Sequence, residues 1–209
     1  MKSLDLFIPY VEIHCRGASE PLMLQYLRLS AQEFCQRSQI VQETFLTGTV
    51  AGDDEVSIET PSQQQFVRLH SVQWKNISLS LVSTDDAPTH AHESDSGSPR
   101  VAYLKAPTTG PISLYPIPDT TESDVLSARA SFAPTLTATQ VTDVLYTDWM
   151  EVIASGAIAR LQDIPDQPFS ARGPSVHLAK FERGVNAAKH EARRGRLYVS
   201  QRVKPVAFA

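Results

Sequence analysis

The stretch Val125-Leu126-Ser127-Ala128-Arg129-Ala130-Ser131-Phe132-Ala133-Pro134 decides how this chain of 209 residues is read. From Val125 to Phe132 it alternates Val125, Ser127, Arg129 and Ser131 against Leu126, Ala128, Ala130 and Phe132, which is the period of a β-strand. Beyond Pro134 the period changes. Thr137 or Thr139 is placed to cap a long amphipathic helix carrying Val141, Val144, Leu145, Trp149, Val152, Ile153, Ala157 and Leu161 on one face, ending near Ile164-Pro165. Strands are expected leading up to Pro134 and helices after it.

Upstream of Val125 the same reading continues. Val41 to Val50 is rich in β-branched residues and ends at the turn signal Gly52-Asp53-Asp54. Phe66 to Trp74 alternates. Ile77, Leu79 and Leu81 alternate with Ser78 and Ser80, which predicts serines in water and the larger side chains inward. Val101 to Lys105 and Gly110 to Tyr115 add two short strands. This makes roughly six or seven strands over about 95 residues, the pattern of a small antiparallel sandwich or barrel. Residues 83–100 interrupt it with a polar segment containing two prolines, expected to be a mobile surface loop. Further upstream, Ser19, Glu20 and Pro21 begin a helix whose Leu24, Leu27, Ala31 and Phe34 share one face as far as about Gln36. At the other end, Pro174 to about Arg194 forms the last helix, with Leu178, Phe181, Val185 and Ala188 as its apolar face.

The expected fold is α+β. A helical bundle is built from the N-terminal helix and two C-terminal helices (1–39 and 136–196). A small antiparallel β domain is inserted at 40–135, and an extended C-terminal arm follows at 197–209. Ala154, Gly156, Ala157 and Ala159 are small enough to let a helix or a second subunit approach closely, and Phe181 and Val185 are expected to join them as subunit- or helix-packing residues.

Composition excludes several classes. Hydrophobic residues make up 42% and charged residues 20%, which is ordinary globular usage. The net charge of -4 gives no bulk attraction to nucleic acid or to a membrane surface. The N-terminus lacks the unbroken apolar run of a signal peptide, and no stretch approaches the ~18 apolar residues of a span, so assembly in a cytoplasm is expected. Cys15 and Cys35 form no metal-ligand pattern and read as reduced core residues. The motifs GxSxG, GxGxxG, GxxxxGK[ST] and HExxH are absent. His90 and His92 lie near Asp85, Asp86, Glu93 and Asp95, but a loop without an apolar frame does not hold ligand geometry. His14 beside Cys15 lacks an orienting third group, and Asn76-Ile77-Ser78 matches a glycosylation sequon by chance in an expected strand. No enzyme activity, metal or cofactor is expected.

The C-terminal part is basic. Lys180, Arg183, Lys189, Arg193, Arg194, Arg196, Arg202 and Lys204 face only Glu182 and Glu191 among acids in their own segment. Docking on an acidic protein partner, contact with nucleic acid and a plain solvated helix face all fit this pattern.

Several motifs, in order, resemble the head-to-tail adaptor (connector or neck) proteins of tailed bacteriophages. Ile8-Pro9-Tyr10-Val11 and Cys15-Arg16-Gly17-Ala18-Ser19-Glu20-Pro21 lead into Ala31-Gln32-Glu33-Phe34-Cys35-Gln36-Arg37-Ser38, similar to that family's helix end before a strand. Gly110-Pro111-Ile112-Ser113-Leu114-Tyr115-Pro116-Ile117-Pro118 and Phe132-Ala133-Pro134-Thr135 follow. Ala154-Ser155-Gly156-Ala157-Ile158-Ala159-Arg160-Leu161, then Phe181-Glu182-Arg183-Gly184-Val185 and Ala192-Arg193, resemble the family's last two helices. The sequence departs at Ile40-Val41, where many relatives carry a tryptophan.

The resemblance implies a structural subunit of a ring of about twelve copies, joined by one repeated heterologous contact. The ring would sit beneath the portal protein, bind a tail nozzle or tube protein below, and let genomic DNA pass without sequence-specific binding. Arg202, Val203, Lys204, Pro205, Val206, Ala207, Phe208 and Ala209 are the expected portal contacts, because an arm with period-two apolar residues can add to a partner's edge. The alternatives are another tail or baseplate component with a β binding module, or a nucleic-acid-binding protein using the basic helix.

Overall fold

The computed structural model describes residues 1–83, 95–105, 111–170 and 176–194. The chain opens with strand β1 (Lys2–Ser3), a 3-10 turn (Leu4–Phe7), helix α1 (Ile8–Glu12) and helix α2 (Glu20–Ser38). Strands β2 (Gln42–Thr49), β3 (Glu55–Val56), β4 (Gln64–Trp74), β5 (Ile77–Ser78) and β6 (Ser80–Leu81) follow. Then come β7 (Val101–Leu104), β8 (Ile112–Tyr115), β9 (Glu122–Pro134) and β10 (Gln140–Val141). Helices α3 (Asp143–Thr147), α4 (Met150–Gln162) and α5 (Val176–Arg194) complete the described chain.

The expected helical bundle with a small inserted β domain is overturned. Among the described residues the fold is α+β and mostly β in its elements, with five α-helices and ten strands in three sheets. The helices do not enclose a core of their own. Helix α2 packs on β9 as well as on α4 and α5. One connected apolar cluster runs from Leu4 and Phe7 through Leu27 and Phe34 to Leu126 and Phe132, and on to Ile153, Leu161, Phe181 and Val185. The reason lies in β9: at 13 residues it is long enough to serve the sheet and to bury Leu126, Ala128, Ala130 and Phe132.

The sheets have the orders β1-β10, β2-β9-β4-β5 and β3-β8-β7-β6. Pairing is antiparallel except between β6 and β7, which run parallel in the register Ser80 to Val101 and Leu81 to Ala102. The central strand β9 pairs with β2 (Phe45 opposite Ala128) and with β4 (Phe66 opposite Phe132). Phe132 meets both aromatic rings edge-on, at 5.9 Å from Phe45 and 6.3 Å from Phe66, the geometry that aligns ring edge with ring face. Register shifts on β4 between Phe66 and Arg68, and between Leu69 and Ser71, leave Val67 and His70 as extra residues. Such bulges bend and twist a strand.

Three local readings are corrected. The long helix expected over 141–161 is two helices. Residues Gln140–Val141 pair with β1, Leu4 N–H donates to the Thr139 carbonyl at 3.0 Å, and a break at Asp148–Trp149 sets the Trp149 ring 5.4 Å from Phe34. The alternation over 77–81 does not run inward. Leu79 is buried, but Ile77 is 68% exposed and Leu81 40% exposed, because the strand divides between two sheets at Leu79. Asn76 lies in the β4–β5 turn rather than in a strand. Lys75 and Asn76 both have positive φ, at 47° and 66°, the requirement of a tight two-residue hairpin.

Candidate functional site

The predicted arm, Arg202 to Ala209, lies outside the described residues, as do Arg196 and most of the 83–100 loop with His90 and His92. The described residues contain no group of three or more metal-capable side chains.

The small residues of α4 sit against other helices of the same chain. Ala154, Gly156, Ala157 and Ala159 are buried, and α4 packs between α2 and α5. A Cβ on Gly156 would meet Ser30 Oγ and the Phe181 ring, and one on Gly184 of α5 would run into Val152. Ser30, itself fully buried, donates to the Ile153 carbonyl at 2.7 Å. A buried hydroxyl bonded in this way avoids the desolvation cost of an unpaired one. Of the expected apolar face of α5, Phe181, Val185 and Ala188 are buried, whereas Leu178 is half exposed.

A charged seam closes the outer edge of the three helices. Arg37 of α2 grips the Glu182 carboxylate with two donors, at 2.7 and 2.5 Å, and also donates to Glu33 at 2.9 Å. Arg160 of α4 reaches the other oxygen of Glu33 and lies over the Phe181 ring at 5.5 Å. Arg37 is pushed upward from its ordinary pKa, first by the hydrogen bond to Glu182 and then by that to Glu33. The same bond to Arg37 holds Glu182 below the usual carboxylate range. Lys180 pairs with Glu151 of α4 at 2.8 Å. The basic face of α5 is therefore partly neutralised from other elements. Partners so distant along the chain leave no local signal in the sequence.

Beyond this seam the basic residues converge. Arg68, His70 and Arg129 of the sheet, with Lys189 and Arg193 of α5, line a cleft of about 440 Å³ that Ser38, Gln39, Gln42 and Ala192 complete. Arg68, Arg129, Lys189 and Arg193 are exposed and have no ion pair among the described residues. Two polar atoms in the walls also lack a hydrogen-bond partner: Oγ of Ser38, a residue only 1% exposed, and Nε2 of His70. Burial, with Arg68 and Arg129 beside it, pushes the His70 imidazole below its ordinary pKa, so the ring is neutral at neutral pH. The helical half of this cleft was visible in the sequence as a run of cations. The strand half was not, because the alternation of Phe66 to Trp74 and of Val125 to Phe132 does not single out Arg68 or Arg129.

Other candidates resolve into structural contacts. His14 stacks edge-on against His177 at 4.5 Å rather than serving Cys15. Cys15 and Cys35 are buried free thiols. Burial pushes Cys15 up to about 11 and Cys35 further, which keeps both protonated at neutral pH. A more apolar cleft of about 300 Å³ lies between Phe66–Leu69 of β4 and the β6–β7 pair.

No helix among the described residues is long and apolar enough to cross a membrane. Residues 9–204 of the chain match the family model described as SU10 adaptor protein. No curated protein matches the chain.

Proposed function

The chain belongs to the SU10 adaptor protein family, a family of phage head-to-tail adaptors, and from that premise we propose that it is a subunit of the ring joining portal to tail. As a family member it is a structural adaptor of the bacteriophage virion. In the proposed role about twelve copies form a closed ring through one repeated heterologous contact. The ring assembles in the host cytoplasm on the portal, holds the tail nozzle or tube protein below, retains the packaged genome and lets the DNA pass.

The family match over 9–204 carries this reading. The packing of α4 and α5 on α2, and of α2 on the central strand β9, supports it, because a load-bearing ring subunit needs a rigid interior. Gly156 and Gly184 remove the space in which the helices could slide. The residues Arg202 to Ala209 remain the proposed portal contact, through apolar Val203, Val206 and Phe208 in an otherwise basic segment.

The test is native mass spectrometry of the purified chain with its cognate portal ring, comparing the full chain with one lacking residues 201–209. The full chain is expected to load the portal as a ring. The truncated chain is expected to stay folded by circular dichroism and to lose portal binding. A full chain that ignores the portal overturns the proposed function. A truncated chain that binds normally overturns only the role of the arm.

A further inference from the structure

The cleft formed by Arg68, His70, Arg129, Lys189 and Arg193 lies over the middle of β4 and β9, beside the start of β2, and the end of the β2–β9 pair at Glu122 carries the opposite charge. There the β2–β3 turn and the segment leading into β9 are tied together. Gly52 N–H donates to the Pro118 carbonyl and Ala51 N–H to Thr121 Oγ1, both at 2.9 Å. This brings Asp53, Asp54, Glu55, Asp119, Glu122 and Asp124 to one pole, where Lys75 and Lys105 pair with some of them. Lys75 pairs with Glu122 at 2.7 Å, and Lys105 pairs with Asp54 and Glu55. Asp53, Asp119 and Asp124 are exposed and have no ion pair among the described residues.

At about 3.3 Å per residue, the path along β9 from Arg129 to Glu122 separates the two poles by roughly 23 Å. One pole is a basic cleft; the other is an acidic pair of turns. The basic pole also holds two donors or acceptors with nothing to bond, Ser38 Oγ and His70 Nε2. Buried polar atoms are ordinarily satisfied, so an occupant that brings carboxylate and main-chain polar groups would complete the site. The cleft walls carry no Phe, Tyr or Trp, and His70 supplies their one ring, so they offer little stacking surface for bases. Two separate patches that complement each other on one chain join copies head to tail rather than about a two-fold axis.

We propose that the basic cleft of one copy receives the acidic turns at 50–55 and 118–124 of a second copy of this chain, and that this is the repeated contact of the assembly. The inference rests on the ring reading above and names its surfaces. Electrostatic complementarity of this kind sets register and excludes wrong partners more than it adds raw affinity. The contact therefore weakens with salt, on the scale of a Debye length of about 8 Å at physiological ionic strength.

A charge swap tests it. One variant carries Arg129→Glu, Lys189→Glu and Arg193→Glu, which makes both poles acidic. A second carries Asp53→Lys, Asp119→Lys and Asp124→Lys, which makes both poles basic. Each is compared with the wild-type chain by sedimentation velocity and native mass spectrometry, alone and with the cognate portal, with circular dichroism to establish folding. Wild-type assembly is expected to fall as salt is raised. Each variant alone is expected to lose assembly at least tenfold in concentration dependence, and an equimolar mixture of the two is expected to recover it as alternating copies. Folded variants that assemble like wild type, or a mixture that stays dispersed, overturn the inference and leave the adaptor reading standing. A wild-type chain that assembles neither alone nor on the portal overturns both. If the first variant loses only retention of a DNA duplex and assembles normally, the cleft belongs to nucleic acid and the inference fails.

Discussion

Gly156 and Phe181 are in contact with no room for a methyl group between them: a Cβ on Gly156 would lie 2.6 Å from Cδ2 of the Phe181 ring. The same Cβ would strike Ser30 Oγ, whose bond to the Ile153 carbonyl ties α2 to α4. Replacing glycine by alanine in a helix gains about 1 kcal/mol of propensity. Forcing a methyl group into a filled interior costs about 1–3 kcal/mol, and here two neighbours must move. Gly156→Ala is therefore expected to destabilise the chain by roughly 1 kcal/mol or more, read as a lower urea midpoint with an unchanged slope. Adding Phe181→Leu to Gly156→Ala is expected to cost less than the sum of the two single changes, because the smaller side chain admits the methyl group.

The Arg37–Glu182 pair contributes to the acid limb of stability. Glu182 has its pKa depressed in the folded chain, chiefly by the hydrogen bond from Arg37. A depressed carboxylate contributes stability that is present above its unfolded pKa and is lost as pH falls through the folded value. The side chain is 42% exposed, so solvent screens the pair and the contribution is held to about 0.5–1 kcal/mol. Glu182→Gln is expected to lower stability by that amount at pH 7, and the difference from wild type is expected to vanish as the pH drops below the carboxylate range. Thermal unfolding at a series of pH values reads both. A gap that persists unchanged at low pH would assign the effect to packing rather than to the charge.

The long elements were readable because their periods run for many residues. Helix α2, with Leu27, Ala31 and Phe34 buried, and strand β9, with Leu126, Ala128, Ala130 and Phe132 buried, lie where the pattern puts them. The misreadings share one cause. Strands β1, β3, β5, β6 and β10 are two residues each, too short to show a period, and their pairing depends on chain that is distant in sequence. Without β10, Val141 looked like the first turn of a long helix. Without the division of 77–81 between two sheets, Ile77 and Leu81 looked like core. The candidate cleft was half legible for a related reason. Lys189 and Arg193 belong to an obvious basic run, but the bulges at Val67 and His70 that set the strand side of the cleft follow from the fit of β4 to β9 and leave no trace in composition.

Gln63 fixes the start of β4 to the β9–β10 connection. Its side-chain oxygen accepts from Thr139 N–H at 2.8 Å, from Thr139 Oγ1 at 3.1 Å and from Gln140 N–H at 3.1 Å. Three donors on one acceptor hold the segment that pairs with β1. Gln63→Ala removes the acceptor, and since the residue also has positive φ, at 60°, the shorter side chain retains the backbone strain without the bonds. A loss of about 1–2 kcal/mol is expected. Hydrogen exchange localises it: the amides of Thr139 and Gln140 are expected to exchange at least tenfold faster, while those in the middle of β9 follow global stability. Uniform acceleration across the sheet would show that the connection unfolds only with the whole chain.

The two cysteines test how tightly the helical layer closes on the sheet. Both are fully buried, and burial alone pushes Cys15 up to about 11 and Cys35 beyond it. The thiolate is the reactive form, so at pH 7.5 each is shielded twice, by protonation and by exclusion of reagent. Alkylation by iodoacetamide, followed by mass spectrometry, is expected to be negligible over hours in the native chain and rapid for both sites in urea. Cys15 follows α1 at the edge of the helical layer, whereas Cys35 lies within α2 near its C-terminal end, so Cys15 is expected to react first through local opening. Gly156→Ala, which loosens the seat of α4 on α2, is expected to accelerate Cys35 in proportion to the stability it removes. If Cys35 labels in the native wild-type chain as fast as a free thiol, the packing of α2 against α4 and β9 is wrong.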